Sequence, residues 1–331
     1  MPNSDRMATS VHNLPPELLD MVLELVAVHA RWDMLACTSV CSLWRIRGLI
    51  ILLRSITFKL NPDELAESDK YSPTRQSRCI KRFLAMLNRY PGLGRSIFTV
   101  QFVFGSLAVP RARQSFLALL DILSTRCRRI RTLEIRFAVA ANTWHAAQLQ
   151  KKLCEFAALE TLKLHECTIR ARDLLAISRA LPRLKVLDLG SRFVIDSRQS
   201  SDKDDGAEKA NGECQVRTLN IVSKTSASDP GPLCDLLQDG PFRHVSILSI
   251  SLQSDTICAM QCFVPYITYL GPSLRHLEVW DSQGTDYLRA YHCLGQYHAR
   301  LLTIHDRSGL FPTSSIGSLQ EHVVTVACPW S

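Results

Sequence analysis

The chain has 331 residues, of which 46% are hydrophobic and 21% are charged, and its formal net charge is +8. This balance is that of a globular protein and excludes a chain that is disordered throughout. No apolar run approaches the roughly 18 residues that a membrane-spanning helix needs, and the polar first ten residues lack a signal-peptide core. We therefore expect a cytoplasmic or nuclear protein without a membrane partner.

Residues 13–56 predict a small unit of three helices. Two prolines followed by Glu17 suit a helix start, because proline fits the first turn and an acid there meets the positive end of the helix dipole. Aliphatic residues then recur at helical spacing, at Leu18, Met21, Val22, Leu25 and Val26. A second helix is expected from Asp33 and a third from near Ser39. A unit this small cannot bury so many apolar side chains alone, so it needs the rest of the chain or a partner.

The ordered pieces Leu14-Pro15-x-Glu17-Leu18, Asp33-x-Leu35 and Ser39-Val40-Cys41-x-x-Trp44-Arg45 resemble the F-box. The resemblance implies docking to a Skp-family adaptor, which joins F-box proteins to a cullin in a ubiquitin ligase. Carried over by position, the adaptor-binding residues are Leu14, Pro15, Leu18, Val22, Leu25, Leu35, Val40, Cys41 and Trp44. The late Leu-Trp pair that is frequent in the family is Leu52-Leu53 here. The alternative is an ordinary helical hairpin at the start of a domain.

A short pattern, aliphatic-x-x-aliphatic-x-aliphatic, recurs through the rest of the chain. Its middle positions are Leu133, Leu162, Leu187, Leu219, Leu248 and Leu277, with a weaker copy at Leu302 and weaker earlier copies at Ile56 and Val100. Successive copies from Leu133 onward are separated by 29, 25, 32, 29, 29 and 25 residues. Each copy predicts a strand with one buried face. Helices are expected between copies, at residues 116–123, 144–156, 173–181 and 287–295.

This spacing is typical of leucine-rich repeats, which have about 20–29 residues each. One copy, Leu159-x-x-Leu162-x-Leu164-x-x-Cys167-x-Ile169, matches the full repeat consensus, including its Asn/Cys position. The other copies lack that position, so we expect an irregular solenoid. The predicted fold class is therefore α/β, with a three-helix F-box-like module followed by parallel strands and helices. An ordinary α/β domain with a parallel sheet is the alternative.

Four segments follow from these patterns. Residues 1–12 are expected to be disordered, 13–56 to form the helical module, 57–95 to connect, and 96–331 to form the repeats. Residues 197–213 contain no apolar side chain larger than alanine, so we expect a disordered loop there.

The twelve cysteines and the densest basic run admit functional and structural interpretations. Without a secretory route, and without a CxxC pair, we expect free cysteines packed in the core and no bound metal. The basic run comprises Arg126, Arg128, Arg129, Arg131 and Arg136. It could attract an acidic partner, but it lacks the interleaved aromatic residues of a single-strand binder. We expect a solvated face and no nucleic-acid partner.

No catalytic motif is present, so we expect a non-catalytic protein without a cofactor. In a repeat fold, side chains between the inward aliphatics line the concave face. The expected substrate-binding residues there are Arg136, Lys163, His165, Asp188, Glu278, Trp280 and His305. Trp280 could equally pack against a neighbouring repeat. The sequence predicts the substrate receptor of a Skp/cullin/F-box ligase that holds an unidentified protein. The alternative is a repeat scaffold whose N-terminal helices form a cap, which would bury Leu14, Pro15 and Trp44.

Overall fold

The computed structural model describes residues 15–29, 31–60, 74–104, 110–137, 146–190, 194–196, 215–223, 237, 242–252, 263, 265–270, 273–281, 301–306 and 322–327. The two segments expected to be disordered, 1–12 and 197–213, lie outside these residues, as does the predicted helix at 287–295. Within the described residues, no helix is both long enough and apolar enough to cross a bilayer.

Three helices begin the described chain: α1 (Pro16–His29), α2 (Arg31–Val40) and α3 (Ser42–Leu52). The predicted starts of the second and third helices were wrong by two or three residues. Asp33 lies in the first turn of α2, where its charge still meets the positive end of the dipole. Ser39 belongs to the end of α2, because its hydroxyl donates to the Ala36 carbonyl at 2.6 Å. The extended residue before α3 is Cys41.

Strands and helices alternate through the rest of the described chain. They are β1 (Ser55–Leu60), α4 (Thr74–Arg89), a 3-10 helix (Pro91–Ser96), β2 (Thr99–Phe104), α5 (Pro110–Arg126), β3 (Thr132–Phe137), α6 (Ala146–Leu153), β4 (Thr161–His165), β5 (Thr168–Arg170), α7 (Ala171–Ala180), β6 (Val186–Leu189), β7 (Val194–Asp196), β8 (Thr218–Ser223), β9 (Ile247–Leu252), β10 (His276–Asp281), β11 (Leu301–Asp306) and β12 (His322–Ala327). The predicted connection at 57–95 therefore contains all of α4 and most of β1 and of the 3-10 helix. Ile80, Phe83 and Leu87 give α4 an apolar face that packs on the core.

Ten strands form one sheet in the order β1-β2-β3-β4-β6-β8-β9-β10-β11-β12. Each neighbouring pair is parallel except β11 and β12, which are antiparallel. The α/β class and the parallel strands are therefore confirmed, and the antiparallel last strand was not predicted. The predicted middle aliphatics pair in register across the sheet, from Val100 through Leu133, Leu162 and Leu187 as far as Leu302. β5 and β7 form a separate two-stranded sheet.

One face of the sheet is covered by helices. Alternate strand residues such as Leu133 and Ile135 are buried together with the apolar side of α5. Phe116 of α5 meets Phe102 and Phe104 edge-to-face, with ring centroids 4.9 and 4.8 Å apart. The intervening strand residues therefore lie on the opposite face of the sheet, which we call the open face.

The helical unit has a small core of its own, formed by Leu19, Leu23 and Met34. Helix α3 lies between this cluster and the core of the sheet. Its Ile51 and Leu52 pack on the small cluster, whereas Leu49, Ile50 and Leu53 pack on the core of the sheet. The first strand of the sheet begins at Ser55, inside the predicted helical module. Helix α3 therefore belongs to the helical unit and also covers part of the core of the sheet.

Candidate functional site

Helix α1 is apolar on more than one side, and only one side is buried. Leu19 and Leu23, one turn apart, point into the small cluster, with Val26 and Ala27 partly buried beside them. Four members of the predicted stripe, Leu18, Met21, Val22 and Leu25, lie on another side of the same helix and are exposed. Its fifth member, Val26, lies on the buried side instead. Apolar sides of a helix are normally buried, so the exposed apolar side of α1 is the side that a partner could cover.

Exposed aliphatic side chains concentrate in this helical unit. Nine of the eleven exposed large hydrophobic residues in the described structure lie between positions 18 and 46. They are Leu18, Met21, Val22, Leu25, Val28, Leu35, Val40, Leu43 and Ile46, and we call them the exposed helical surface. Leu25 and Val40 are each 61% exposed. Scattered exposed apolar residues are normal, but a concentration of this kind marks an interaction surface.

Most of the predicted adaptor-binding residues are exposed in the folded chain. Leu14 lies outside the described residues. Those exposed are Pro15, Leu18, Val22, Leu25, Leu35 and Val40. Cys41 and Trp44 are half-buried, and Trp44 packs against the small cluster of its own unit. The capping alternative placed Pro15 and Trp44 inside the chain, and Pro15 is exposed.

Two ion pairs join α1 to α3 and to Arg54, which lies between α3 and β1. Arg47 donates to Asp20 Oδ2 at 2.6 Å and to the Pro16 carbonyl at 3.3 Å. Arg54 donates to Glu24 Oε1 at 2.6 Å. Because these pairs are largely exposed, each contributes less than about 1 kcal/mol to stability. They instead orient α1 so that Leu19 and Leu23 face α3 and the exposed helical surface faces solvent.

The open face of the sheet carries the second group of predicted residues. Glu134, Lys163 and Asp188 occupy adjacent register positions on β3, β4 and β6, and Arg136 pairs with His165 one layer further along. The open-face cluster, as we name these five residues, is linked internally. Arg136 approaches Glu134 at 3.1 Å, and Lys163 approaches Asp188 at 3.9 Å. The expected substrate-binding residues Arg136, Lys163, His165 and Asp188 are therefore neighbours on adjacent strands.

Polar residues of β1 and β2 extend this row. Gln101 Nε2 donates to Glu134 Oε1 at 2.8 Å, and Thr57 Oγ1 lies 3.1 Å from Gln101 Oε1. Gln101 and Arg136 both donate to Glu134 Oε1, so this oxygen accepts two hydrogen bonds from its neighbours. Sequence reasoning did not place Thr57 or Gln101 in the surface. The weak repeat copies at Ile56 and Val100 were the signal that their strands continue the sheet.

His165 lies at the centre of the open-face cluster, above a glycine. Its Nε2 is 3.8 Å from Glu134 Oε1, and its side chain is 15% exposed. A Cβ added to Gly190 would overlap the imidazole ring, with His165 Cγ only 2.7 Å away. Gly190 therefore leaves the space that the ring occupies, and the sequence alone did not reveal this role.

Burial shifts the ionisation of two members of this cluster. Burial lowers the pKa of His165 below its ordinary value. Asp188 and Glu134 favour the protonated ring, but Arg136 and Lys163 oppose them, so the effect of burial prevails. Burial likewise raises the pKa of Asp188, which His165 and Lys163 partly offset. The cluster thus presents hydrogen-bonding groups whose charges largely compensate one another. Such a surface suits a partner whose polar groups match these positions, more than one that is attracted over a long range.

The remaining predicted substrate-binding residues lie on β10 and β11. Glu278 is half-buried on β10, in register with Ser249 and Thr303. Trp280 pairs in backbone register with His305. The side chains of Trp280 and His305 lie outside the described part of the structure. Both interpretations of Trp280, as a binding residue and as a packing residue, therefore stay predictions.

The described cysteines differ in their surroundings. Cys127 and Cys167 are buried, as expected, and burial raises the pKa of their thiols to about 11 and about 12. Cys154 is exposed, so the expectation that it packs in the core was wrong; it follows the last turn of α6. Cys37 lies on α2 and Cys41 lies between α2 and α3, and both are half-buried. Among the described residues, no group of three or more potential ligands is placed to hold a metal ion.

No family model matches the chain, and no curated protein matches it in sequence. The resemblance to the F-box therefore depends on the residues between Leu14 and Arg45 themselves and on the exposure of the described ones.

Proposed function

We propose that this chain is the substrate receptor of a Skp/cullin/F-box ubiquitin ligase. The helical unit would dock a Skp-family adaptor, and the open face of the sheet would hold a protein to be modified. The observation that carries the proposal is the exposed helical surface. Six positions that the F-box resemblance assigns to the adaptor are exposed in the folded chain, although five of them are aliphatic.

The geometry of α1 supports docking over internal packing. Leu19 and Leu23 form the side of α1 that packs in the small cluster. Leu18, Val22 and Leu25 are exposed and do not contribute to that core. Aliphatic side chains that do not contribute to the core gain burial only from a partner, at about 25 cal/mol for each Å² removed from water. A helical adaptor that lays an apolar groove over this side of α1 would provide it.

The proposed mechanism is proximity and requires no reaction on this chain. The adaptor and cullin would fix the receptor near the subunits that transfer ubiquitin. A protein held on the open face would then present its lysines at a high effective concentration. The open-face cluster supports this step, because Glu134 and Asp188 are positioned by neighbours before any partner arrives.

The test is binding of the full chain to a purified Skp-family adaptor, measured by calorimetry. The variant Val22→Ala/Leu25→Ala removes aliphatic atoms from the exposed helical surface without touching the small cluster. Ile247→Ala is the matched control, because Ile247 is 40% exposed on β9 and Val22 is 41% exposed. We expect the double variant to lose at least about tenfold in affinity, which corresponds to about 1.4 kcal/mol.

The control should bind as the wild type does, and both variants should keep the wild-type melting temperature. The proposal fails if the folded wild-type chain does not bind the adaptor. It also fails if Ile247→Ala weakens binding as much as the double variant does.

A second candidate function is a repeat scaffold in which the helical unit caps the sheet. The observation in its favour is the packing of α3, since Leu49, Ile50 and Leu53 cover the core beside β1. Terminal repeats need such covers. This function requires no adaptor, so a stable chain that does not bind the adaptor would favour it.

A further inference from the structure

A cleft of about 630 Å³ opens between the end of α4, the 3-10 helix and the end of α5. Four arginines line it: Arg95 from the 3-10 helix, and Arg126, Arg128 and Arg129 from the end of α5 and the turn that follows. Leu87 and Asn88 of α4 complete the wall between them. We call this feature the arginine cleft. It lies among helix ends and turns, away from the residues of the open-face cluster.

The walls of the cleft are held together by close backbone packing. A Cβ added to Gly94 would lie 2.5 Å from the Arg126 carbonyl oxygen, so only glycine allows the 3-10 helix to approach α5 this closely. The Arg126 guanidinium also donates to Asn88 Oδ1 across the cleft. Because these contacts join all three elements, the segments that carry Arg95, Arg128 and Arg129 are held close together before any ligand binds.

The positive charge of the cleft is not neutralised by the described part of the chain. No acidic side chain is among the described residues that line it, and each ion pair in the described structure uses a cation other than these four arginines. Like charges that share a concave surface repel one another, which makes the fold less stable than it would be with neutral side chains. An anion in the cleft would remove that cost.

The turn that carries two of these arginines does not need them to form. In it, the Ile130 N–H donates to the Cys127 carbonyl at 3.2 Å. The same turn precedes β4, β6 and β9, where the equivalent bonds are 3.0, 3.1 and 3.3 Å. Their middle residues are Ala157-Ala158, Pro182-Arg183 and Arg243-His244. Among these four turns, the arginine pair occurs only where a cleft adjoins it.

We propose that the arginine cleft binds a small molecule with two or more phosphate groups. Its volume lies in the range of small-molecule sites, about 300–1,000 Å³. Guanidinium groups match phosphate oxygens in paired hydrogen bonds, and two phosphate groups of about −1.5 to −2 each would balance the four positive charges. A nucleic acid fits less well, because none of the described residues that line the cleft is aromatic and could stack on a base.

Calorimetric titration of the full chain with inorganic pyrophosphate at low ionic strength tests this site. The variants are Arg128→Gln/Arg129→Gln on one wall and Arg95→Gln on the other. The matched control is Arg183→Gln/Arg275→Gln, which removes two charges from exposed positions ahead of β6 and β10. We expect one pyrophosphate to bind per chain, at least about tenfold more weakly in both cleft variants and within about twofold of wild type in the control.

Each other outcome counts against the site. If wild type does not bind pyrophosphate, or if the control loses as much affinity as the double cleft variant, the cleft is not a specific anion site. A parallel titration uses a single-stranded oligonucleotide. Much tighter binding of it, lost in the cleft variants, would replace the small-molecule proposal with a nucleic-acid surface. Arg95→Gln keeps the test decisive should the double variant fail to fold, which thermal melts without ligand will show.

Discussion

The contact between Gly190 and His165 gives a prediction about how the open-face cluster is held. The change Gly190→Ala places a methyl group where the imidazole ring lies, so the ring must leave the sheet. It would lose its burial and its position 3.8 Å from Glu134. Forcing one methyl into an occupied site costs about 1–3 kcal/mol, and the lower half of that range applies because a side chain can move more easily than backbone. We expect the free energy of unfolding in urea to fall by about 1–2 kcal/mol.

The decisive comparison is the same change in a chain that already carries His165→Ala. There the methyl group meets no ring, so Gly190→Ala should alter the free energy of unfolding by less than about 0.5 kcal/mol. A second readout is the pKa of His165 by NMR, which should rise in Gly190→Ala as the ring moves into water. If Gly190→Ala costs the same in both backgrounds, the imidazole does not depend on the glycine and the described geometry of the cluster is wrong.

Three further predictions concern burial. Leu23→Ala should lower the free energy of unfolding of the helical unit by about 2–4 kcal/mol, and Leu25→Ala should lower it by less than about 0.5 kcal/mol. Hydrogen exchange measures both changes, and equal losses would contradict the orientation of α1. Because the folded pKa of His165 is lowered, the unfolded chain takes up the proton first, so stability should fall as pH drops through about 6.5, and His165→Gln should reduce that fall in urea titrations at several pH values. A thiol reagent should modify Cys154 in the folded chain but Cys167 only after unfolding, and rapid native modification of Cys167 would refute its burial.

The parallel strands of the sheet could be predicted because their signal is local and repeated. An alternating aliphatic triplet requires only a strand with one buried face, and Leu133, Leu162 and Leu187 proved to be register partners. The same entry pattern recurs at each strand. The Arg131 and Thr132 N–H groups both donate to the Phe98 carbonyl, and corresponding pairs precede β4, β6, β8, β9 and β10. Irregular intervals between copies did not disturb the alignment, because this hydrogen bonding fixes where each strand begins.

The sequence did not decide which side of a helix is buried, or which side chains contact a residue of another element. Periodicity in α1 identified Leu18, Val22 and Leu25 as a stripe, but Leu19 and Leu23 form another, and only packing against α3 selects between them. The close approach of the His165 ring to Gly190 likewise depends on the register of β4 against β6. The predicted helix starts shifted because the ends of short helices depend on single hydrogen bonds such as that of the Ser39 hydroxyl.

The attachment of the helical unit to the sheet matters more for the proposed function than the affinity of either surface. Arg54 joins the two parts. Its carbonyl accepts the N–H groups of Phe98 and Thr99, at 3.1 and 3.0 Å, and its guanidinium holds Glu24 of α1. With α3 packed on both cores, a partner on the exposed helical surface would be held at a fixed position relative to the open face. Proximity increases a transfer rate only when such a distance is maintained, because a loose joint would spread the bound protein over many positions. The packing of α3 on both cores is therefore a feature that a receptor requires and that an independent cap does not.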